Sequence, residues 1–318
     1  MIEGRAWSAT QAKQWDISEL QGSPRRQRRE RIVGGLAFAA ATVSILISAL
    51  IVYSLAFEAI KFMLDVDWSR TWGQLGWIPR QNYFDLPTII VATLWVTVIA
   101  MVVATPLGLA AAIYLSEYAA GRVRRLLKPI LEILAGIPSV VLGYFALRFI
   151  APDIISKLFS EAKPANLAAA GIGVGLLTIP LIASISEDAL ASVPRSLREA
   201  SSGLGARKKT TSLRVVVPAA LSGLTAAFIV AVSRAIGETM VVYIAGGAAD
   251  SAVKTYNPLD AGLTMTAAMA SVASGTDQVA GKGPTFQSLF FVGALLFLMT
   301  LLLNLVADRF VRRFRQEY

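Results

Sequence analysis

Long apolar stretches alternate with short charged segments along this 318-residue chain. A helix needs roughly 20 apolar residues to cross the hydrocarbon core of a bilayer. Four uncharged runs meet that length outright: 32–57, 86–116, 165–186 and 283–307. A fifth, 215–247, qualifies although it carries Arg234 and Glu238. A sixth, 129–150, is the weakest, since it contains Glu132, Pro138 and Arg148. The pattern predicts an all-α, polytopic membrane protein with six transmembrane helices. Its expected organisation is a basic tail over 1–31, a first helix over 32–61, an outer loop over 62–85, a transmembrane domain over 86–311 containing an inner loop at 187–216, and a tail over 312–318.

The basic residues give an independent reading, because Lys and Arg concentrate in short cytoplasmic segments. Twenty-one of the 30 fall before residue 32 or within 122–128, 195–214 and 309–315. With six spans these are the segments on one side, which places both termini in the cytoplasm and the chain in the cell membrane. An odd number of spans would erase the asymmetry, so the weak third span belongs in the count. The net charge of +9 is therefore topogenic, and it predicts membrane lipid and no nucleic acid as a partner. The first 31 residues resemble the front of a signal peptide, but the apolar run behind them is far longer than a cleavable core. It reads as a retained helix.

Composition removes most enzyme classes. The chain is 55% hydrophobic and 16% charged, with no Cys and no His, which excludes disulfides, thiolate or imidazole metal sites and His-based proton shuttles. No catalytic, metal or cofactor site is expected. Within 62–85, Trp68, Trp72, Trp77 and Tyr83 suit anchoring at the outer interface between lipid and water. Residues 248–286, rich in Gly, Ala, Ser, Thr and Asp, read as an outer loop with a short helix near 263–271. Gly171, Gly173 and Gly175 include a GxxxG spacing that predicts close helix contact. Pro106, Pro138, Pro180 and Pro218 kink or end spans.

The inner loop carries the most specific pattern. Its first part has helical spacing behind Pro194, and Gly203 and Gly205 break it. Glu199-Ala200-Ser201, three residues, Gly205, nine residues, then Val215-x-Val217-Pro218 resembles the EAA loop of permease subunits of binding-protein-dependent ABC importers, E-A-A-x(3)-G-x(9)-I-x-L-P. Ser201 stands where Ala is usual, and Val215 and Val217 replace Ile and Leu. The resemblance implies the type I ABC importer permease fold. It also implies a coupling helix over 194–205 that docks on an ATPase through Glu199, Ala200, Ser201, Gly205 and Pro218.

Within that family, "SRAIGETMVV" over 233–242 resembles phosphate-specific permeases of the PstC type. "GIPSVVLGYFAL" over 136–147 and the run 86–118 are similar to the same permeases. Arg234 and Glu238, four apart, are expected on one face of a helix. A charged guanidinium at mid-membrane is costly and must face protein or water, and its planar fork of donors suits phosphate oxygens. Arg234 is the leading candidate for an anion contact, with Glu238, Thr239 and Ser139 as further pathway candidates. Two roles for Arg234 and Glu238 stay open at this point, a pathway element and a structural ion pair.

No Walker A motif is present, since "GARKKTT" lacks the second Gly before Lys. The resemblance therefore implies a permease subunit and not an enzyme. It would work with two ATPase subunits, a second homologous permease of the PstA type and an extracytoplasmic phosphate-binding protein. A permease for another oxyanion and an ion-coupled anion carrier are the alternatives.

Overall fold

The computed structural model describes residues 24–72, 76–247, 255–274 and 283–314. The chain divides into two units, residues 1–54 and 55–318. In the first unit the described residues form one continuous helix that begins at Pro24 and passes into the second unit, ending at Asp65. Every side chain described from Arg25 to Ser54 is exposed. The expected tail over 1–31 lies outside the described residues up to 23.

The second unit is built around the second and fourth spans, Leu86–Ile113 and Leu167–Ala191. Their contact is close because glycine allows it. A Cβ built on Gly171 would meet Ile99 Cβ at 2.8 Å, and one on Gly175 would meet the Ala100 carbonyl at 3.0 Å. The expected GxxxG contact is therefore the seam between these helices. The core around it is largely small and aliphatic, with Ala92, Val96, Ala100, Ala146, Ala169, Val174 and Val241 all buried. Small residues let backbones approach where lipid supplies no hydrophobic drive between helices.

Just before the second span, Trp77–Ile78 pairs antiparallel with Tyr83–Phe84. Phe62 meets Phe84 edge-on at 5.0 Å and Phe291 at 4.9 Å. Trp77, expected as an interfacial anchor, is only 2% exposed and packs on Phe84. Trp68 and Trp72 remain exposed. The helix expected near 263–271 is Met265–Ala273. It folds into the bundle instead of standing in an outer loop, for Met265, Thr266, Ala267 and Ala268 are buried and Thr93 Oγ1 accepts from the Met265 N–H at 3.0 Å.

Among the described residues, five helices are long and apolar enough to cross a membrane: residues 28–65, 86–118, 139–158, 167–191 and 283–309. A sixth span results when Lys208–Ala219 and Leu221–Gly237, which meet at a 70° bend, count as one. The third span starts later than the expected residue 129. Residues 121–135 form a separate helix, Gly121–Ala135, with apolar positions 123, 126, 130, 133 and 134 on one side and Arg124, Arg125, Lys128 and Glu132 on another. Ser139–Phe145 then opens the span behind Pro138, which lacks an N–H and suits a helix start.

Candidate functional site

The fifth span also departs from a continuous helix. Pro218 has no N–H to give to the preceding turn, and the bend follows it. Leu221–Gly237 follows, with Ala227, Ala231 and Ala235 buried at four-residue spacing. On a different face Ala226, Val230, Arg234 and Gly237 are all exposed, as the helical period requires of positions sharing one stripe. The helix stops at Gly237, and Glu238 is extended, with φ −70° and ψ 128°. Met240–Ala245 resumes it for less than two turns.

This geometry corrects one expectation. Arg234 and Glu238 do not share a helical face, because Glu238 lies beyond the last helical residue. No carboxylate stands within 4.0 Å of the Arg234 guanidinium among the described residues. The Glu238 side chain is half-buried, and its backbone carbonyl accepts from Thr266 Oγ1 at 2.8 Å. Thr239 is half-buried, its hydroxyl 3.3 Å from the Gly237 carbonyl.

Ser139, also half-buried, opens the third span. The helix it begins packs on Met240–Ala245, where a Cβ on Gly143 would lie 3.1 Å from the Met240 carbonyl. The two interrupted helices, broken at Pro138 and at Glu238–Thr239, are thus neighbours. One polar contact escaped the sequence reading: Ser233 Oγ donates to Asn304 Oδ1 at 3.1 Å, joining the fifth span to the last. The signal was available, an amide inside the apolar run 283–307.

On the other side of the molecule, Arg195–Gly203 is a short helix preceded by Pro194. Glu199 and Ala200 are exposed on it, and Ser201 Oγ lies 2.8 Å from Thr211 Oγ1. Gly205 has φ +77°, a left-handed conformation that glycine adopts without penalty, so the chain reverses there as expected. Leu204, beside it, is 89% exposed. Pro218 is exposed at the bend of the fifth span. The five expected coupling residues therefore fall in two places, four on the loop and one at the root of the span it feeds.

Ion pairs hold this side together. The Glu187 carboxylate, 1% exposed, accepts from Arg124 and, at 2.7 Å, from Lys128. Lys128 also reaches Asp188 at 2.7 Å. Hydrogen bonds to Asp188 and then Glu187 hold the Lys128 ammonium above its ordinary pKa. Arg198 of the loop helix donates to Glu117 at 2.8 Å.

Comparison with known proteins identifies the family of this bundle of broken apolar helices. Residues 104–317 match the family described as binding-protein-dependent transport system inner membrane component. The chain belongs to this family. It is 36% identical over 207 residues to a probable ABC transporter permease protein, YqgH, of Bacillus subtilis, an alignment spanning 65% of this chain and 64% of that protein. It is 31% identical to the phosphate transport system permease protein PstC 1 of Mycobacterium tuberculosis, over 74% of each chain. It is 31% identical to PstC of Mesorhizobium japonicum, over 75% of this chain and 76% of that one. Among solved structures, the inward-facing MetNI methionine ABC transporter matches with a TM-score of 0.51 at 21% identity, over 71% of this chain and 92% of that chain. The permease thus has the type I ABC importer fold, and the elements that carry Arg234 and the loop helix lie within the family region.

Proposed function

We propose that this permease forms half of the membrane pathway of an ATP-driven importer of inorganic phosphate. The observation that carries the reading is Arg234, exposed on the fifth span with no carboxylate partner among the described residues. A guanidinium that faces lipid costs at least about 2.5–3.5 kcal/mol. Its stripe therefore faces a second permease or a wet path, and the guanidinium fork matches phosphate oxygens. The names of the PstC relatives support phosphate as the anion. Glu238, Thr239 and Ser139 border the same path at the helix breaks.

At the inner end the loop of Glu199, Ala200, Ser201 and Gly205, with exposed Leu204 at its turn, docks on an ATPase, and Pro218 sits at the hinge behind it. The working assembly has two ATPase subunits, a second permease of the PstA type and an extracytoplasmic phosphate-binding protein. Both termini lie in the cytoplasm. ATP-driven closure of the ATPases rocks the permeases between inward and outward openings.

Purified permeases, ATPase and binding protein in liposomes test this. Labelled phosphate enters only with ATP and with every component present, and excess arsenate competes better than sulfate or molybdate. Uptake by the permeases alone would overturn the reading.

A further inference from the structure

One guanidinium of the coupling loop makes several hydrogen bonds to the rest of the permease. Arg198, on the helix Arg195–Gly203, donates through Nη1 to the Val193 carbonyl at 2.6 Å and through Nη2 to the Leu190 carbonyl at 2.8 Å. The same side chain reaches Glu117 through Nη2 at 2.8 Å and Nε at 3.3 Å. Leu190 lies in the last turn of the fourth span and Val193 two residues beyond its end, where carbonyls lack intrahelical donors and the helix dipole is negative. Glu117, 7% exposed, stands at the end of the second span, in a widened π turn over Tyr114–Tyr118. Such turns concentrate at functional positions.

The return segment of the loop, helical from Lys208 to Thr211, grips the same turn independently. Lys208 Nζ lies 5.2 Å over the Tyr118 ring, a cation–π distance. Both sides of the loop therefore close on residues 117–118, and one of them also closes on the end of the fourth span.

From this geometry we infer that Arg198 and Glu117 are positioning residues for transport, the joint through which the coupling loop moves the second and fourth spans as one body. Those spans are packed along their glycine seam, so a displacement of the loop helix reaches the core of the permease without a compliant link. A fork held by several hydrogen bonds fixes orientation as well as distance. Lysine, a point charge whose three donors rotate freely, fixes distance alone.

The inference rests on the proposed ATP-driven import, and it is tested in the complete liposome complex whose unaltered form imports phosphate. Failure of that unaltered form would count against the proposed function. The joint is read from the variants Arg198→Lys and Glu117→Gln, as phosphate imported per ATP hydrolysed. Each variant lowers this ratio about tenfold, the scale of a coupling free energy, and leaves the KM for loaded binding protein unchanged. A role in folding alone would lower both activities together and keep the ratio.

A second measurement uses the absence of native Cys in this chain. In Glu117→Cys/Arg198→Cys, with the other subunits free of Cys, a short bis-thiosulfonate cross-linker restores the ratio and reduction abolishes it again. An undiminished ratio in Arg198→Lys, or a cross-linked double variant that stays uncoupled, overturns the joint.

Discussion

Lys128 Nζ lies 2.7 Å from Oε2 of Glu187, a carboxylate only 1% exposed near the C-terminal end of the fourth span. This contact explains why residues 121–135 form a helix of their own. An amphipathic segment with Arg124 and Lys128 on one side gains a buried carboxylate by lying against the fourth span, and it would lose that partner by entering the bilayer.

Lys128→Met leaves Glu187 with Arg124 as its remaining ion-pair partner and frees Asp188. Removing a charged hydrogen-bond partner from a buried group costs about 1–3 kcal/mol, so the purified protein in detergent unfolds at lower temperature. The pH dependence has a definite sign. The folded pKa of Lys128 is raised, chiefly by Asp188, so the tie contributes fully below the ordinary lysine value of about 10.4 and is lost as pH rises through the higher folded value. The stability difference between the unaltered chain and Lys128→Met is constant through neutral pH and shrinks only in strong alkali.

The glycine seam makes a sharper demand. A Cβ at position 175 meets the Ala100 carbonyl at 3.0 Å and Val103 Cβ at 3.1 Å, and the backbone atom cannot swing aside. Gly175→Leu overpacks the seam at a cost of about 1–3 kcal/mol or more and lowers the yield of folded protein in the membrane. Gly203→Leu, where no atom lies within 4 Å of an added Cβ, leaves that yield unchanged.

Gly205 separates conformation from space. No atom lies within 4 Å of an added Cβ there, yet φ is +77°. Gly205→Ala therefore costs about 1–2 kcal/mol through the left-handed backbone alone, and Gly205→Asn costs less, since Asn tolerates that region. Titration of liposome-embedded permease with ATPase shows the order Gly, Asn, Ala in affinity. An alanine variant that binds as tightly as the unaltered chain would contradict the turn's role.

The apolar runs and the Glu199-to-Pro218 spacing were legible because each depends on local periodicity and composition. What the sequence concealed depends on distant partners. Residues 129–135 look like the first turns of a span until Lys128 finds Glu187, 59 positions away. Trp77 looks like an interfacial anchor until Phe62 and Phe84 enclose it. Helical spacing places Arg234 and Glu238 on one face only if the helix continues, and a span can break at Gly237 because Thr266 supplies a donor to the Glu238 carbonyl. That donor belongs to a helix which composition assigned to an outer loop.

The break at Gly237 decides what a charge exchange does. If Arg234 and Glu238 were a helical ion pair, Arg234→Glu with Glu238→Arg would keep both the attraction and the transport. In the observed geometry position 234 is on the exposed stripe of the helix, whereas position 238 is extended and half-buried, so the exchange puts a carboxylate on the proposed anion route. The double variant therefore imports no phosphate, although its complex still hydrolyses ATP. Arg234→Ala loses charged hydrogen bonds worth about 1.5–3 kcal/mol, which lowers uptake about 10- to 100-fold. Arg234→Lys falls between, because it keeps the charge and loses the fork. Restoration of normal uptake by the double exchange would show that the pair acts structurally and would remove Arg234 from the path.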